Sequence, residues 1–375
     1  MRNSRSRIGL FMILTLLILA FSLTAAIAYA KPDKDVEKNV GDLEYLGMVT
    51  FETGTMFQGT EIGGLSGITY DASRGVYYVI SDDRSEVNDA RYYTVAIDLS
   101  DGSLDDGDVT FLSHTTILDE NGQPFGLDMV DAEGIALRAS GQIFISSEQA
   151  GASPFVKRFD WDGYQTATLP LPDKFLPGDG VGIYSNLAFE SLAVSPNDKV
   201  LWTATEAALK QDGAPATLTD PSPSRMLAFD APKRQAMQEY VYMVEPIPQS
   251  AGSCADNGLV DLVALDNSHT LLAMERSFAC GLGNTVRLFE VKTDGATDVS
   301  GYFSLDDAPS YTPVSKRMVL DLTPTTTPKP DNLEGIALGP MLPDGRYVLI
   351  MISDNNFNPP PIQTTQFIAY AVEIE

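Results

Sequence analysis

The sequence contains few of the side chains that bind transition metals or activate nucleophiles. Its 375 residues include two cysteines and two histidines, His114 and His269. Protein sites for zinc and copper use His and Cys ligands, so a site of that kind is not expected. The glycine-rich residues 63–67 (GGLSG) lack the G-x-S-x-G spacing, and neither histidine is placed as a triad partner. These absences argue against a transition-metal enzyme and against a serine hydrolase.

Basic residues are scarce relative to acidic residues. Lysine and arginine number 25 against 51 aspartates and glutamates, which gives a formal net charge of −26. Such a surface repels nucleic acids and anionic lipids. It either attracts divalent cations or serves only to keep the protein in solution. We therefore expect no nucleic-acid partner, and we expect the protein to be a monomer.

Long apolar runs are absent except near the N-terminus. Three arginines precede an apolar run over residues 8–23, and residues 28–30 (AYA) have the form of a signal-peptidase site. We predict cleavage after Ala30, which leaves 22 basic and 51 acidic residues and a net charge of −29. The alternative is an uncleaved anchor, because residues 8–28 are just long enough to span a bilayer.

These features predict an exported protein, either periplasmic or extracellular, with no stable membrane insertion once the signal is removed. We assign residues 1–30 to the signal peptide, residues 31–42 to a linker and residues 43–375 to one domain. Disulfides persist in oxidising compartments. We therefore expect Cys254 and Cys280 to form one disulfide bond.

The exported region contains an internal repeat. Residues 131–137 (DAEGIAL) recur as residues 332–338 (NLEGIAL) and more loosely as residues 189–194 (FESLAV), while residues 65–70 (LSGITY) and 260–265 (VDLVAL) are divergent copies. Each copy is followed by a turn and a second apolar segment that ends in acids or amides. The repeated unit is therefore predicted to be a β-hairpin.

The spacing of the repeats predicts the fold. The motif positions Ser66, Glu133, Glu190, Asp261 and Glu334 are 67, 57, 71 and 73 residues apart, which suits a four-stranded propeller blade with long loops. We predict an all-β, single-domain β-propeller of five blades, or of six if one copy has diverged. A tandem of β-sandwiches is the competing fold, and it does not predict a shared acidic position in every repeat.

The repeated acids are expected to converge. In an antiparallel hairpin the start of the first strand and the end of the second lie at the same edge. This geometry pairs Glu133 with Glu148, Glu190 with Glu206, Asp261 with Glu275, and Glu334 with Asp354, while Ser66 stands opposite Asp82 and Asp83 in the first copy. If these hairpins are the inner strands of blades around one axis, their carboxylates form a ring at one mouth of the channel.

A ring of like charges needs compensation where water is partly excluded. Ca²⁺ provides it best, because it accepts about six to eight oxygen ligands in flexible geometry. We therefore expect Ca²⁺ as the cofactor. The alternative is architectural, with each repeated glutamate accepting backbone N–H hydrogen bonds at a turn.

Cationic side chains lie near the same strand ends. Arg84 follows Asp83, Arg276 follows Glu275, and Lys210 lies four residues beyond Glu206. An arginine beside a metal-loaded carboxylate ring would bind phosphate oxygens, since guanidinium groups bind them in a bidentate manner. The alternative is an arginine–carboxylate pair between neighbouring blades.

These motifs resemble the phytase-like family of exported proteins, which is defined by an "esterase-like activity of phytase" domain. The matching segments are residues 65–68 (LSGI), 81–84 (SDDR), 131–135 (DAEGI), 185–186 (SN), 189–192 (FESL), 205–206 (TE), 274–276 (MER), 332–335 (NLEG) and 353–356 (SDNN). The resemblance extends over nearly all of residues 43–375. It implies a propeller, in agreement with the repeats, and it implies hydrolysis of a small-molecule phosphate ester or of another anionic substrate.

The resemblance also implies roles for the repeated residues at a Ca²⁺-loaded site. The candidate metal ligands are Asp82, Glu133, Glu190, Asp261, Glu334 and Asp354; the candidate catalytic residues are Glu148, Glu206 and Glu275; the candidate phosphate-binding residues are Arg84, Lys210 and Arg276. Two other functions stay open. One is a non-catalytic propeller that binds a carbohydrate, metal or protein, and the other is a calcium-dependent lactonase-type esterase.

Overall fold

The computed structural model describes most of the chain beyond residue 36. The described residues are 37–148, 153–249, 254–267, 269–359 and 362–375. The expected signal peptide and the greater part of the expected linker therefore lie outside the described residues. Within the described ranges, no helix is long and apolar enough to cross a membrane.

Strands are almost the only regular secondary structure in the described chain. In chain order they are β1 (Val40–Glu52), β2 (Met56–Phe57), β3 (Thr60–Glu61), β4 (Leu65–Asp71), β5 (Val76–Ser81), β6 (Arg91–Ile97), β7 (Val109–Thr116), β8 (Ala132–Leu137), β9 (Ile143–Ser147), β10 (Phe155–Phe159), β11 (Gln165–Leu169), β12 (Ala193–Val194), β13 (Val200–Ala208), β14 (Ser222–Asp230), β15 (Gln235–Val244), β16 (Gly258–Ala264), β17 (Thr270–Ala279), β18 (Gly283–Lys292), β19 (Ser315–Leu322), β20 (Leu333–Met341), β21 (Tyr347–Ser353) and β22 (Thr364–Ile374). Two 3₁₀ turns, Asp173–Phe175 and Leu305–Asp307, accompany them.

Five four-stranded antiparallel sheets form the blades of a propeller. Blade 1 is β4-β5-β6-β7, blade 2 is β8-β9-β10-β11, blade 3 is β12-β13-β14-β15, blade 4 is β16-β17-β18-β19, and blade 5 is β20-β21-β22-β1. The first strand of each blade contacts the first strand of the next, and β20 contacts β4 to close the ring. The predicted five-bladed propeller is confirmed.

The N-terminal strand closes the ring. β1 pairs with the C-terminal strand β22, from Val40 opposite Ile374 to Glu52 opposite Thr364. Blade 5 is therefore built from both ends of the described chain. Because β1 begins at Val40, the strand takes in the last three residues of the segment that we assigned to the linker.

The hydrophobic core lies between the blades. Each pair of neighbouring blades encloses one apolar cluster: blades 1 and 2 enclose Ile80 and Ile145, blades 2 and 3 enclose Phe144 and Phe229, blades 3 and 4 enclose Trp202 and Leu262, blades 4 and 5 enclose Met274 and Met351, and blades 5 and 1 enclose Ile350 and Val79. Strands that are buried on both faces need continuous apolar runs, and β21 (YVLIMIS) is of this kind. The blades are thus held together by apolar burial.

In every blade, the first strand has one extra residue that finds no pairing partner in the second strand. In blade 1, Leu65 pairs with Ser81 and Gly67 with Ile80, so Ser66 has no partner. The same one-residue shift occurs in the other four blades, following Ala132, Phe189, Leu259 and Leu333. A β-bulge of this kind re-aims a side chain. The repeated motif is therefore a bulge that faces the propeller axis.

The expected disulfide is present. Cys254 and Cys280 are joined by an S–S bond of 2.00 Å. The Cys280 N–H also donates a hydrogen bond of 2.9 Å to the Cys254 carbonyl. The disulfide connects the residues before β16 to the end of β17.

Candidate functional site

A central cavity of ≈ 840 Å³ opens among the first strands. Nine carboxylates and three cations line it: Asp82, Glu133, Glu148, Glu190, Glu206, Asp256, Asp331, Glu334, Asp354, Arg84, Arg276 and Lys329. Nine of the twelve residues singled out from the sequence are among them. The cavity does not include Asp261, Glu275 or Lys210.

The strand pairing of blade 4 explains the position of Asp261 and Glu275. Leu259 pairs with Glu275, just as Leu333 pairs with Ser353 in blade 5. The residues that follow these pairs are Glu334 and Asp354 in blade 5, and Val260 and Arg276 in blade 4. Arg276 lines the cavity, whereas Val260 is buried in the apolar cluster between blades 4 and 5. The sequence alignment of this copy was thus wrong by one residue, because the copy has no Glu-Gly pair to fix its register.

Asp261 joins neighbouring blades. Its carboxylate accepts hydrogen bonds from the N–H groups of Leu262 at 2.8 Å and of Ile336 in blade 5 at 2.7 Å. Burial nevertheless raises the pKa of Asp261 well above its usual range. Gly67, Gly134 and Gly335 occupy the equivalent position in three other blades.

Glu275 belongs to a buried network between blades 3 and 4. Its carboxylate accepts hydrogen bonds from the Tyr242 hydroxyl at 2.7 Å, the Asn257 amide at 2.9 Å and the Lys316 ammonium at 2.7 Å. Lys210 lies elsewhere, with its Nζ 6.0 Å from the centre of the Tyr184 ring.

Blades 2 and 3 bring five carboxylates together. Asp131, Glu133 and Glu148 can offer one oxygen each with all three within 4.8 Å of one another, and Glu148, Glu190 and Glu206 can do the same. Glu148 belongs to both triplets. The predicted pairs of Glu133 with Glu148 and of Glu190 with Glu206 are therefore neighbours. Asp131 is an addition, and its place at the head of the DAEG motif is the sequence signal for it.

Burial among like charges makes these carboxyl groups hard to ionise. Burial, and then repulsion by Asp131 and Asp82, raises the pKa of Glu133 well above its usual range. Burial together with repulsion by Glu148 and Glu133 does the same to the pKa of Glu190.

The two neighbouring groups have pKa values close to neutrality. Burial raises the pKa of Glu148 to about 7, although the Ala188 N–H group stabilises the ionised form. Burial also raises the pKa of Glu206 to about 8, against the opposing charge of Arg276. Groups that titrate near neutral pH can transfer protons at working pH.

Blade 4 supplies a guanidinium group to the ring. The Arg276 Nη2 atom lies 3.0 Å from Glu334 and 4.0 Å from Glu206, and Nη1 lies 3.4 Å from Asp256. Burial alone would lower the pKa of Arg276, but the surrounding acids outweigh burial and raise the pKa. Arg276 therefore stays charged and partly neutralises the acids of blades 3 and 5.

A second arginine lies on the blade 2 side. Arg84 Nε donates a hydrogen bond to Asp131 Oδ1 at 2.8 Å, and its Nη2 lies 2.7 Å from Asp131 Oδ2. Nη2 also donates to the Asn186 side-chain oxygen at 3.0 Å. Its side chain is 38% exposed, so one side remains open to the cavity.

Asn332 links the two acids of blade 5. Its amide donates to Glu334 at 2.9 Å and to Asp354 at 3.2 Å. Burial, followed by repulsion from Glu334, raises the pKa of Asp354 well above its usual range. Burial and repulsion by Asp354 have the same effect on the pKa of Asp82 in blade 1.

The donor set of the cavity fits a hard divalent cation. Within the described ranges, no N–H group donates a hydrogen bond to the side chain of Glu133 or Glu190, although both residues are more than nine-tenths buried. Buried carboxylates without donors are costly unless a cation compensates them. All the available ligands are oxygens, which suit Ca²⁺ or Mg²⁺. His114 in β7 and His269, which pairs with Asp294, lie outside the cavity lining.

The fold and the cavity define a five-bladed β-propeller with a carboxylate-lined centre. The model of the phytase-like family, described as "Esterase-like activity of phytase", matches residues 60–357. The chain belongs to the phytase-like family. No curated protein matches the sequence.

Several solved propeller structures are distantly similar to the chain. The periplasmic gluconolactonase PpgL of Pseudomonas aeruginosa is 10% identical with a TM-score of 0.35, over 84% of this chain and 90% of that one. A putative oxidoreductase (glucose dehydrogenase) of Thermus thermophilus is 10% identical with a TM-score of 0.37, over 86% of this chain and 100% of that one. The Dos1 propeller is 8% identical with a TM-score of 0.34, over 82% and 68%. At these values the similarities carry no information about activity or ligand.

Proposed function

We propose that the protein is an exported hydrolase that acts on phosphate esters in its central cavity with the help of Ca²⁺. The observation that carries this proposal is the pair of carboxylate triplets that share Glu148. Two of their members, Glu133 and Glu190, are buried without N–H donors among the described residues. The family membership supports a hydrolase, and the Cys254–Cys280 bond supports export to an oxidising compartment.

The carboxylates of blades 2 and 3 would hold the cation. Asp131, Glu133, Glu148 and Glu190 offer oxygens close enough to share one ion or two. Bound Ca²⁺ would supply positive charge to phosphate oxygens and would favour ionisation of a water molecule. Asp82, Glu334 and Asp354, on blades 1 and 5, are further candidate ligands.

Arg276 and Glu206 would act on the substrate side. Arg276 is the guanidinium that reaches into the ring, so it would bind phosphate oxygens and stabilise the charge that develops on them. Glu206 lies 4.0 Å from Arg276 and has a pKa of about 8. We assign Glu206 as the general base, with Arg84 as a second phosphate-binding group.

The test is release of inorganic phosphate from a phosphomonoester and a phosphodiester by the mature protein that starts at Lys31. We expect turnover with Ca²⁺ and none with a chelator. Glu206→Gln should lower kcat at least 100-fold, since general bases contribute about 10² to 10⁴. Glu120→Gln, at an exposed acid outside the cavity, is the control. Lack of turnover on any ester, with a calcium-dependent rise in Tm, would indicate a binding propeller instead.

A lactonase-type esterase is the second candidate. The cavity has nine acids against three bases, which favours an ester that carries little negative charge. Calcium-dependent hydrolysis of lactones, without release of phosphate from phosphate esters, would replace the first proposal by this one.

A further inference from the structure

Phe278 exposes its ring at the rim of the central cavity. It is 37% exposed, and it lines the cavity together with Asn284, its partner in the β17–β18 pairing. Arg276 lies two residues earlier in β17, so the side chains of Arg276 and Phe278 lie on one face of the strand. At about 3.3 Å per residue, the two positions are about 7 Å apart. This distance is comparable to the length of a six-membered ring with its linking atom.

The position of Phe278 is fixed by its backbone. Its N–H group donates to the Asp256 carboxylate at 2.9 Å, and its carbonyl accepts from the Asp256 N–H group at 3.0 Å. The disulfide at Cys280 fastens the same hairpin two residues later. An exposed aromatic ring that is held in place at a cavity rim is a preorganised apolar surface.

Asn284 offers an unused polar group beside this ring. The residue is 7% exposed, and its side-chain oxygen has no hydrogen-bond partner within the described ranges. Buried polar atoms are normally paired, so an unpaired one in a cavity wall indicates a missing donor. A hydroxyl group of a ligand is a donor of the right kind.

The charge of the cavity limits what can bind there. Nine acids face three bases, and two of the bases, Arg84 and Arg276, are already engaged by acids. One anionic group can be held between Arg276 and a bound cation. A second anionic group beside Phe278 would meet Asp256, whose carboxylate lies against the Phe278 backbone. Lys329 is the one lining cation without an ion pair among the described residues, so the acids remain in excess.

We propose that Phe278 and Asn284 form a subsite for an uncharged ring with an apolar face, attached to the ester group that Arg276 holds. This subsite rests on the proposed function, because the ester group is taken to be a phosphate. The ring stacks on Phe278. An aryl group and a sugar both have such a face, and a sugar would in addition donate a hydroxyl to Asn284.

The test measures dissociation constants by isothermal titration calorimetry for the calcium-loaded mature protein carrying Glu206→Gln, so that the ester probes are not hydrolysed during the titration. The probes are inorganic phosphate, glycerol 3-phosphate, phenyl phosphate, glucose 1-phosphate, glucose 1,6-bisphosphate and uncharged methyl glucoside. We expect a ring-bearing monophosphate to bind about tenfold more tightly than glycerol 3-phosphate, because one aromatic stacking contact contributes up to about tenfold. The bisphosphate should lose that advantage.

Variants separate the subsite from the fold. Phe278→Ala should abolish the advantage of the ring and leave binding of inorganic phosphate unchanged, while Phe278→Trp should keep it. Phe303→Ala is the matched control, since Phe303 is 46% exposed and lies outside the cavity. If the natural ring is a sugar, Asn284→Leu should weaken the binding of glucose 1-phosphate and leave the binding of phenyl phosphate unchanged. If the ring is an aryl group, the variant should change the binding of neither probe.

The outcomes distinguish the subsite from the proposed function. Equal affinities for ring-bearing and ringless phosphates, or an equal loss for all probes in Phe278→Ala, would overturn the subsite. A ring preference without release of phosphate would keep the subsite and overturn the hydrolase. Binding of methyl glucoside that depends on Phe278, with no binding of any phosphate, would also keep the subsite and overturn the phosphate ester.

Discussion

Arg276 occupies a position that is acidic in the other four blades. The equivalent residues there are Asp82, Glu148, Glu206 and Asp354. The charge around the ring is therefore uneven. Blade 4 contributes a cation, and the other four blades contribute carboxylates. This asymmetry would give the proposed anionic ligand one orientation in the cavity.

Replacing Arg276 should destabilise the protein. Arg276→Gln leaves Glu334 and Glu206 without their counter-charge, and the removal of one partner from a buried ion pair costs about 3 kcal/mol. Urea denaturation measures the loss. Arg287→Gln is the control, because the Arg287–Asp321 pair is only partly buried and lies outside the cavity, so its loss should cost under about 1 kcal/mol. An equally small loss in both variants would contradict the role of Arg276.

Stability should fall with rising pH in the absence of metal. Glu148 and Glu206 have an ordinary pKa of 4.5 and folded-state pKa values of about 7 and about 8. The folded state therefore binds more protons than the unfolded state, and its stability decreases from about pH 4.5 to about pH 8. In chelator, denaturant midpoints should be lower at pH 8.5 than at pH 5.5. The double variant Glu148→Gln/Glu206→Gln should weaken this dependence, and an unchanged dependence would exclude these two groups as its cause.

The residues of the site could be predicted where the repeat is well preserved. Glu133, Glu190 and Glu334 precede a small residue, Gly or Ser, which identifies the bulge in the sequence. The fourth copy lacks this mark, so its register depended on a single strand pairing that the sequence does not show. For that reason the sequence wrongly predicts Asp261 and Glu275 in the ring, whereas Asp261 joins blades 4 and 5 and Glu275 belongs to a buried network.

At the scale of elements, the end of the β17–β18 hairpin is held by a covalent crosslink of its own. The disulfide closes a loop with a sequence separation of 26 residues and holds Asp256 against Arg276 and Phe278. The double variant Cys254→Ser/Cys280→Ser should lose about 3 kcal/mol of stability, because the unfolded chain regains the entropy of this loop. Denaturant unfolding without reductant measures it. No loss would show that the bond does not constrain the hairpin.

The contact between first strands requires small residues. A Cβ atom at Gly67 would lie 2.4 Å from the Glu133 carbonyl oxygen in the next blade. Gly67→Ala should therefore force blades 1 and 2 apart and cost about 2 kcal/mol. At Gly126 a Cβ would meet only Met129, at 3.8 Å, so Gly126→Ala is the matched control. Equal thermal stability of the two variants would contradict the tight contact between blades.

At the scale of the whole molecule, the number of blades can be predicted from the sequence repeat. The strand pairing that closes the ring of blades cannot. Five copies of a hairpin motif at similar spacing predict five blades, because each hairpin supplies the two inner strands of one blade. The outermost strand of blade 5 comes from Val40–Glu52, which has no repeat partner in the sequence. Pairing between the two ends of a chain depends on long-range contacts that a local pattern does not encode.

The ring of carboxylates is a property of the whole molecule as well, since four of the five blades contribute acids to it through these motifs. No single hairpin contains enough ligands for a calcium ion, which takes about six to eight oxygens. A cation held there would therefore connect blades, and its loss would destabilise the complete fold. This connection makes thermal stability a direct readout of the site.

The most direct measurement is thermal melting of the mature protein with Ca²⁺ and with chelator, for the wild type, Glu148→Gln and the control Glu120→Gln. At a calcium concentration of about 100 times Kd, the account predicts a rise in Tm of about 5 °C for the wild type and the control. Glu148→Gln should lose most of that rise, because the shared ligand of both triplets is gone. No rise in the wild type, or the same rise in all three proteins, would contradict a calcium site in the carboxylate ring.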